Sequence, residues 1–449
     1  MTLPFRAALG ALLLMRILPV AGRAQNMETL SLDQAVSLAL RDNRNVKSAD
    51  IETSKYDDKL AEAHTRRFPA LSLSAEGGTL LTRLNFVFDR GAFGTFPGIG
   101  PIPAENTDLS TARKMTALVL GQVSQPLTQQ YKIGLNMALL RLSRELAREQ
   151  SRAQRETIVH NVKQVYYAIL QTESALQNQD EQVKFYRELD RTTTELLSRE
   201  AVLKSESLDV KARLGKSEYD ADTLRDTVAT QKEQLNLLLG RDVRSRFEIR
   251  PLVDAAATDT NLADAETKAI ASRTEIRQAR LQAQQAGLDE RLTRAGYIPD
   301  VSLVLRYLSP LNYGNLIPSN ITTASLSLSW EPFDWGRHRH EIGEKEKSAE
   351  QARYAVRETE SSVLVDVANR FRKLRQARKA LEVAQLGQEA AREKVRVALH
   401  AYREKAILLK DVLQAQSALS AANDQQREAM LAIWSAKADF DKAVGEDQP

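Results

Sequence analysis

The chain contains no cysteine among its 449 residues, which excludes disulfides, thiolate chemistry, cysteine-bound metals and an N-terminal lipid carried on cysteine. It is equally short of long apolar runs. Met1 to Ala24 carries Arg6, an apolar stretch from Ala7 to Met15 and small residues ending in Ala21-Gly22-Arg23-Ala24, the pattern of a secretory signal peptide. Nothing else approaches the ~18 uninterrupted apolar residues that a spanning helix needs. If the exported chain enters a membrane, it must do so as strands. Removing residues 1–24 deletes three arginines and no acids, taking the formal charge from +4 to +1. That near-neutrality leaves no basic footprint for nucleic acid.

Proline is scarce in a patterned way. Thirteen prolines leave Leu127 to Arg250 and Phe333 to Gln448 without one, where average usage would place about six in each. An interior proline costs a helix about 3 kcal/mol. These stretches, rich in Ala, Leu, Glu, Gln, Lys and Arg, therefore predict very long helices, the first from Gly134 to about Glu200 with a return from Ser207 to Leu239. Shorter proline-free runs predict helices over Asp33 to Arg67 and Ala263 to Ala295.

Between the helices, residues 69–126 and 299–332 gather glycine, proline and aromatic residues, and their periodicity changes to two. Ser325-Leu326-Ser327-Leu328-Ser329-Trp330 alternates strictly, and Leu71, Leu73 and Ala75 alternate with Ser72, Ser74 and Glu76. Together with Ala117 to Val123 and Pro299 to Tyr307 they make two hairpins, or four strands, joined by loops at Gly91 to Asp108 and Ser309 to Asn320.

The order repeats. A shift of 230 places Leu32, Ala35, Val46 and Pro69 on Leu262, Ala265, Ile276 and Pro299, and a shift of 205 places Gly240 on Gly445, both reading as helix C-caps. A seam spaced alternately four and three runs from Leu408 and Val412 to Phe440 and Ala443, and its equivalent from Leu203 and Ser207 to Leu235 and Leu238. A 3.5-residue period is a coiled-coil signature. After residues 1–24 the chain thus reads as one unit, 25–449, of two pseudo-repeats, about 27–240 and 255–445. Four strands cannot close a barrel, and an open sheet cannot span lipid, so the subunit must share its barrel with copies of itself. Strand count alone does not choose between two copies and three.

Leu30-Ser31-Leu32-Asp33-Gln34-Ala35 opening a helix, the paired Pro69 and Pro299 before strands, and Tyr402 through Asp411-Val412-Leu413-Gln414-Ala415 resemble the TolC-like outer-membrane efflux proteins. The resemblance covers nearly the whole exported chain. It implies a mainly α fold with a small β part: helical hairpins forming an α-barrel, and four strands contributed to a shared twelve-stranded β-barrel in a homotrimer. It further implies an outer-membrane location with a large periplasmic part, and a passive conduit for efflux or type I secretion, gated at its periplasmic helical end. The implied partners are outer-membrane lipid, a periplasmic adaptor (membrane fusion) protein and an inner-membrane pump of RND, ABC or MFS type. The helical turns near Arg199 to Ser207 and Tyr402 to Lys410 become the periplasmic tips.

Asp411 follows Tyr402 by nine residues, as the family's aperture acid follows its tyrosine. The family's second acid is Gln414 here and its basic partner is Ile407, while Glu206 and Asp209 occupy the equivalent positions of the other repeat. Rings of such carboxylates favour cations, although first-turn acids also simply stabilise helix N-termini. Trp330, Phe333 and Trp335 read as interfacial aromatics at the barrel rim. His338 and His340 are two apart and make a poor metal pair. No HExxH, P-loop or nucleophile elbow is present, so the sequence offers no enzyme, cofactor or metal site. A periplasmic coiled-coil adaptor without a pore is the competing reading.

Overall fold

In the computed structural model the described residues are 28–446, except 80, 83–84, 111–114, 201, 252–260, 313–317 and 405. The signal-peptide reading of residues 1–24 lies outside them. The first half runs β1 (Glu28–Leu30), α1 (Leu32–Asp42), α2 (Arg44–Thr65), β2 (Ala70–Thr79), β3 (Asn85–Phe88), β4 (Thr95–Phe96), β5 (Gly100–Pro101), β6 (Thr107–Ser110), β7 (Met115–Pro126), α3 (Gln129–Ser198), α4 (Lys204–Leu238) and β8 (Phe247–Ile249). The second runs α5 (Leu262–Ser272), α6 (Thr274–Ala295), β9 (Asp300–Leu311), β10 (Ile321–Ser329), α7 (Arg337–Arg403) and α8 (Leu409–Val444). The fold is mainly α with a small β part. At about 1.5 Å per residue, α3 with 70 residues and α7 with 67 each extend roughly 100 Å.

The seam predicted along α4 and α8 faces inward: Ser207, Val210, Ser217, Ala221, Val228 and Leu235 are buried in one, Val412, Ala429, Phe440 and Ala443 in the other. Its first position departs from expectation in both copies. Leu203 and Leu408 are N-caps with extended backbone, which swings their side chains outward to 68% and 62% exposure.

The expected single helices Asp33 to Arg67 and Ala263 to Ala295 are each broken, at Asn43 and Arg273, whose ψ values are 130° and 129°. The cause is tertiary. Asn43 caps α2 through its side-chain oxygen, and its Nδ2 donates to Leu238 O at 2.8 Å, satisfying a carbonyl at the end of α4. At the matching place in the second half, Ser272 Oγ donates to Val444 O at 2.8 Å and Arg273 Nη1 to Ala443 O at 3.2 Å. Gly240, just beyond the α4 C-cap Leu239, and Gly445, the α8 C-cap, turn left-handed at φ +71° and +80° to bring the helix ends against these breaks.

β1 and β8 pair in parallel to form a small band. Tyr166 of α3 holds it: the fully buried ring places its hydroxyl 2.7 Å from Arg250 O and 3.0 Å from Leu30 O, to which it donates. Burial pushes this phenol up to about 12. Because the folded-state value lies above the ordinary ~10, Tyr166 contributes its stability fully below pH ~10 and loses it as pH rises toward 12. Tyr166→Phe is expected to cost about 1–3 kcal/mol and to abolish that alkaline loss. Unfolding midpoints measured from pH 8 to 12 check both; a mutant as stable as the parent contradicts the anchoring role.

β10-β9-β7-β2 form a four-stranded antiparallel sheet. Among the described residues no strand pairs with the outer edges of β2 and β10. The register puts Leu71, Leu73, Val119, Val123, Leu303, Leu305, Tyr307, Leu326 and Leu328 on one face. Ser72, Ser74, Glu76, Gln122, Ser124, Arg306, Thr323, Ser325 and Ser327 occupy the other. The connection expected as a loop over Gly91 to Asp108 instead carries a small ladder, β4 with β5, and is flanked by a second, β3 with β6. The expected second loop is shorter than Ser309 to Asn320, since β9 continues to Leu311.

Candidate functional site: the helical tips and the rim of the sheet

The two hairpins, α3 with α4 and α7 with α8, share one apolar cluster at their ends. Tyr186 and Leu189 of α3, Val210 of α4, and Leu409 and Leu413 of α8 are buried together, with Tyr402 of α7 packed against them. Burial, and after it the negative charge of Glu206, push the Tyr402 phenol above its ordinary range. The structure therefore packs Tyr402 of one half on a cluster that contains Tyr186 and Val210 of the other.

Asp411 lies in the first turn of α8, half-buried. Its carboxylate accepts the Leu408 N–H at 3.0 Å, while its own N–H donates to Leu408 O at 3.0 Å. The cap fixes the carboxylate at the very end of the helix, next to the positive pole of the helix dipole. Gln414, one turn on, is exposed, as is Glu206 in the first turn of α4. Asp209 is committed to Arg213 at 3.2 Å, and this bond, with the carboxylate's charge, raises the guanidinium. Three acids thus crowd two adjacent helix N-termini, of which Glu206 and Asp411 have no ion-pair partner among the described residues. Sequence reasoning missed Tyr186 and Arg213. The adjacent aromatics Phe185-Tyr186 in α3 were a signal for the first, whereas Arg213 is one arginine among many.

At the other end, Trp330, Phe333 and Trp335 fill the short segment between β10 and α7, exposed at 57%, 68% and 89%. Phe333 and Trp335 meet edge to face at 4.9 Å. Asp334 stiffens the segment by accepting the Gly336 and His338 N–H groups at 3.0 and 2.8 Å. His338 Nδ1 lies 3.3 Å from Asp334, and its ring packs on Tyr297. Among the described residues no group of three or more metal-ligating side chains comes together, and no helix is long and apolar enough to cross a membrane.

Residues 267–446 match the sequence model of the outer membrane efflux protein family. No curated protein sequence matches the chain. Among solved structures, the outer-membrane channel OprN superposes with a TM-score of 0.75 at 18% identity, over 93% of this chain and 91% of that one. The CmeC outer membrane channel of Campylobacter jejuni gives 0.75 at 15% identity, over 93% and 86%. The open state of the MtrE outer membrane channel of Neisseria gonorrhoeae gives 0.69 at 17% identity, over 92% and 88%. Residues 267–446 therefore carry the sequence pattern of the outer membrane efflux protein family, and the chain as a whole has the fold of the outer-membrane channels OprN, CmeC and MtrE.

Proposed function

We propose that the chain is the outer-membrane channel subunit of a tripartite efflux or secretion system, a passive duct and not an enzyme. The observation that carries this reading is the four-stranded sheet with one apolar face, one polar face and two free edges, mounted on helices roughly 100 Å long. Backbone groups at a sheet edge in lipid must find partners, so β2 of one copy pairs with β10 of the next until the ring closes. Three copies give twelve strands and a water-filled interior, as the resemblance to the TolC-like proteins implies. The chain is a tandem duplication exported by residues 1–24, with its helices in the periplasm and Trp330, Phe333 and Trp335 at the lipid boundary. A periplasmic adaptor engages the helical part, and an inner-membrane pump of RND, ABC or MFS type supplies the energy.

The acids at the helix ends are the aperture. One Asp411 per subunit becomes a ring around the axis, joined by Glu206 and Asp209 of the other repeat, and such a ring attracts cations. The test is single-channel recording from the purified protein in planar bilayers. The parent is expected to form channels blocked by polyvalent cations added on the side of the helical tips. Asp411→Asn, which removes the charge at nearly constant shape, should weaken that block by roughly threefold to tenfold. Channels absent from the parent would contradict the duct; unchanged block in the mutant would remove Asp411 from the aperture.

A further inference from the structure

The inner face of the sheet carries an isolated positive charge that the duct reading does not explain. β2, β7, β9 and β10 together contain three charged residues, Glu76, Asp300 and Arg306, all on the polar face. Asp300 is neutralised by Lys132 at 2.7 Å, at the junction with α3. Arg306 is exposed and lies level with Ser72, Gln122 and Thr323; its Nη2 donates to Gln122 Oε1 at 3.3 Å, which holds the guanidinium to the wall. No carboxylate pairs with it among the described residues. Glu76 sits four residues further along β2 and two strands across, roughly 17 Å away at ~3.4 Å per residue and ~4.8 Å per strand. That is about twice the ~8 Å screening length at physiological salt, so Glu76 does not cancel Arg306. Between the two levels lie Ser74, Leu120, Leu308 and Ile321, a mainly apolar collar that lowers the local dielectric on one side of Arg306. Closing the ring sets β2 of the next copy beside β10; Ile321–Ser329 contains no charge, so the one charge closure brings is that copy's Glu76, again two strands from β9.

We propose that Arg306, repeated once per subunit, forms a ring of fixed positive charge inside the barrel that makes this end of the duct prefer small anions, opposite in sign to the acids at the helical tips. The inference rests on the duct reading, since the ring exists only if the polar face lines a lumen. Physically it follows from the same rule as any charged constriction: like-charged permeants are repelled over a screening length and counter-ions accumulate.

The experiment is the reversal potential of single channels in a potassium chloride gradient, recorded in the Asp411→Asn, Glu206→Gln background so that the unpaired acids at the tips do not dominate. Arg306→Gln is expected to lower the chloride-to-potassium permeability ratio by roughly twofold or more near ~0.1 M salt, where the screening length of ~10 Å still falls short of Glu76, and to have almost no effect at 1 M, where it shortens to ~3 Å. Arg306→Lys should keep the parental ratio, and Glu76→Gln should move it the opposite way. A ratio unchanged by Arg306→Gln at low salt, in channels that insert and conduct normally, overturns the proposal and leaves the duct standing. If the parent forms no channels, it is the duct reading that fails.

Discussion

Gly240→Val should destabilise the protein by about 3 kcal/mol or more, whereas Gly215→Ala should be neutral or stabilising by about 0.5–1 kcal/mol. Gly240 has φ +71°, and a Cβ there would lie 2.3 Å from Asp42 O and 2.6 Å from its carbonyl carbon. Both are backbone atoms of the α1–α2 break, which Asn43 holds in place, so neither can swing aside. Gly215 lies inside α4 with nothing within 4 Å of the added atom, and there the substitution only improves helix propensity. Gly445→Val should fall between them. It has the same left-handed strain at φ +80°, but the nearest atom is Ser272 Oγ at 2.4 Å, a side chain that can rotate away at the cost of its bond to Val444 O. Thermal unfolding followed by circular dichroism ranks the three; Gly240→Val as stable as Gly215→Ala would mean the α4 end is not locked against the break.

The second large effect concerns neighbours on β2. Leu73→Arg should block membrane insertion, while Ser72→Arg should insert and assemble. Leu73 is 76% exposed in the single chain and level with Gly121, Tyr307 and Thr322 on the apolar face. An arginine at the bilayer midplane costs about 2–4 kcal/mol per chain in a transmembrane barrel, and a symmetric assembly incurs it once per copy. Ser72, one residue away, points to the opposite face beside Gln122, where an arginine meets water. The amount of each variant recovered in reconstituted vesicles reads the difference directly. Equal insertion of both would mean that the two faces do not see lipid and water.

Much of this architecture is legible in the amino-acid order. Proline distribution delimits α3 and α7, and the two-residue alternation around Ser325 to Ser329 defines a strand with unlike faces, because both signals are local and physical. The signals that fail are the ones made at a distance. β1 and β8 have three residues each, too few for any period, and depend on the hydroxyl of Tyr166 more than 80 positions from either partner carbonyl. The breaks at Asn43 and Arg273 contain no proline; Asn43 turns the chain because Leu238 O needs a donor, a demand invisible until α4 returns to meet it. At the tips, Asp411 is picked out by its spacing from Tyr402 and by family resemblance, and its cap on Leu408 gives that position a local reason as well. The packing of Tyr402 on the cluster of Tyr186 and Val210 joins α7 to α3 and α4, and no spacing within one helix encodes it.

The central claim is that the free edges of β2 and β10 close on other copies of the same chain around a lumen. Native mass measurement of the detergent-extracted, unheated protein tests it most directly, with a mass of three chains predicted and collapse to one chain on boiling. A single-chain mass in mild detergent, from protein that still binds outer-membrane lipid, would contradict it.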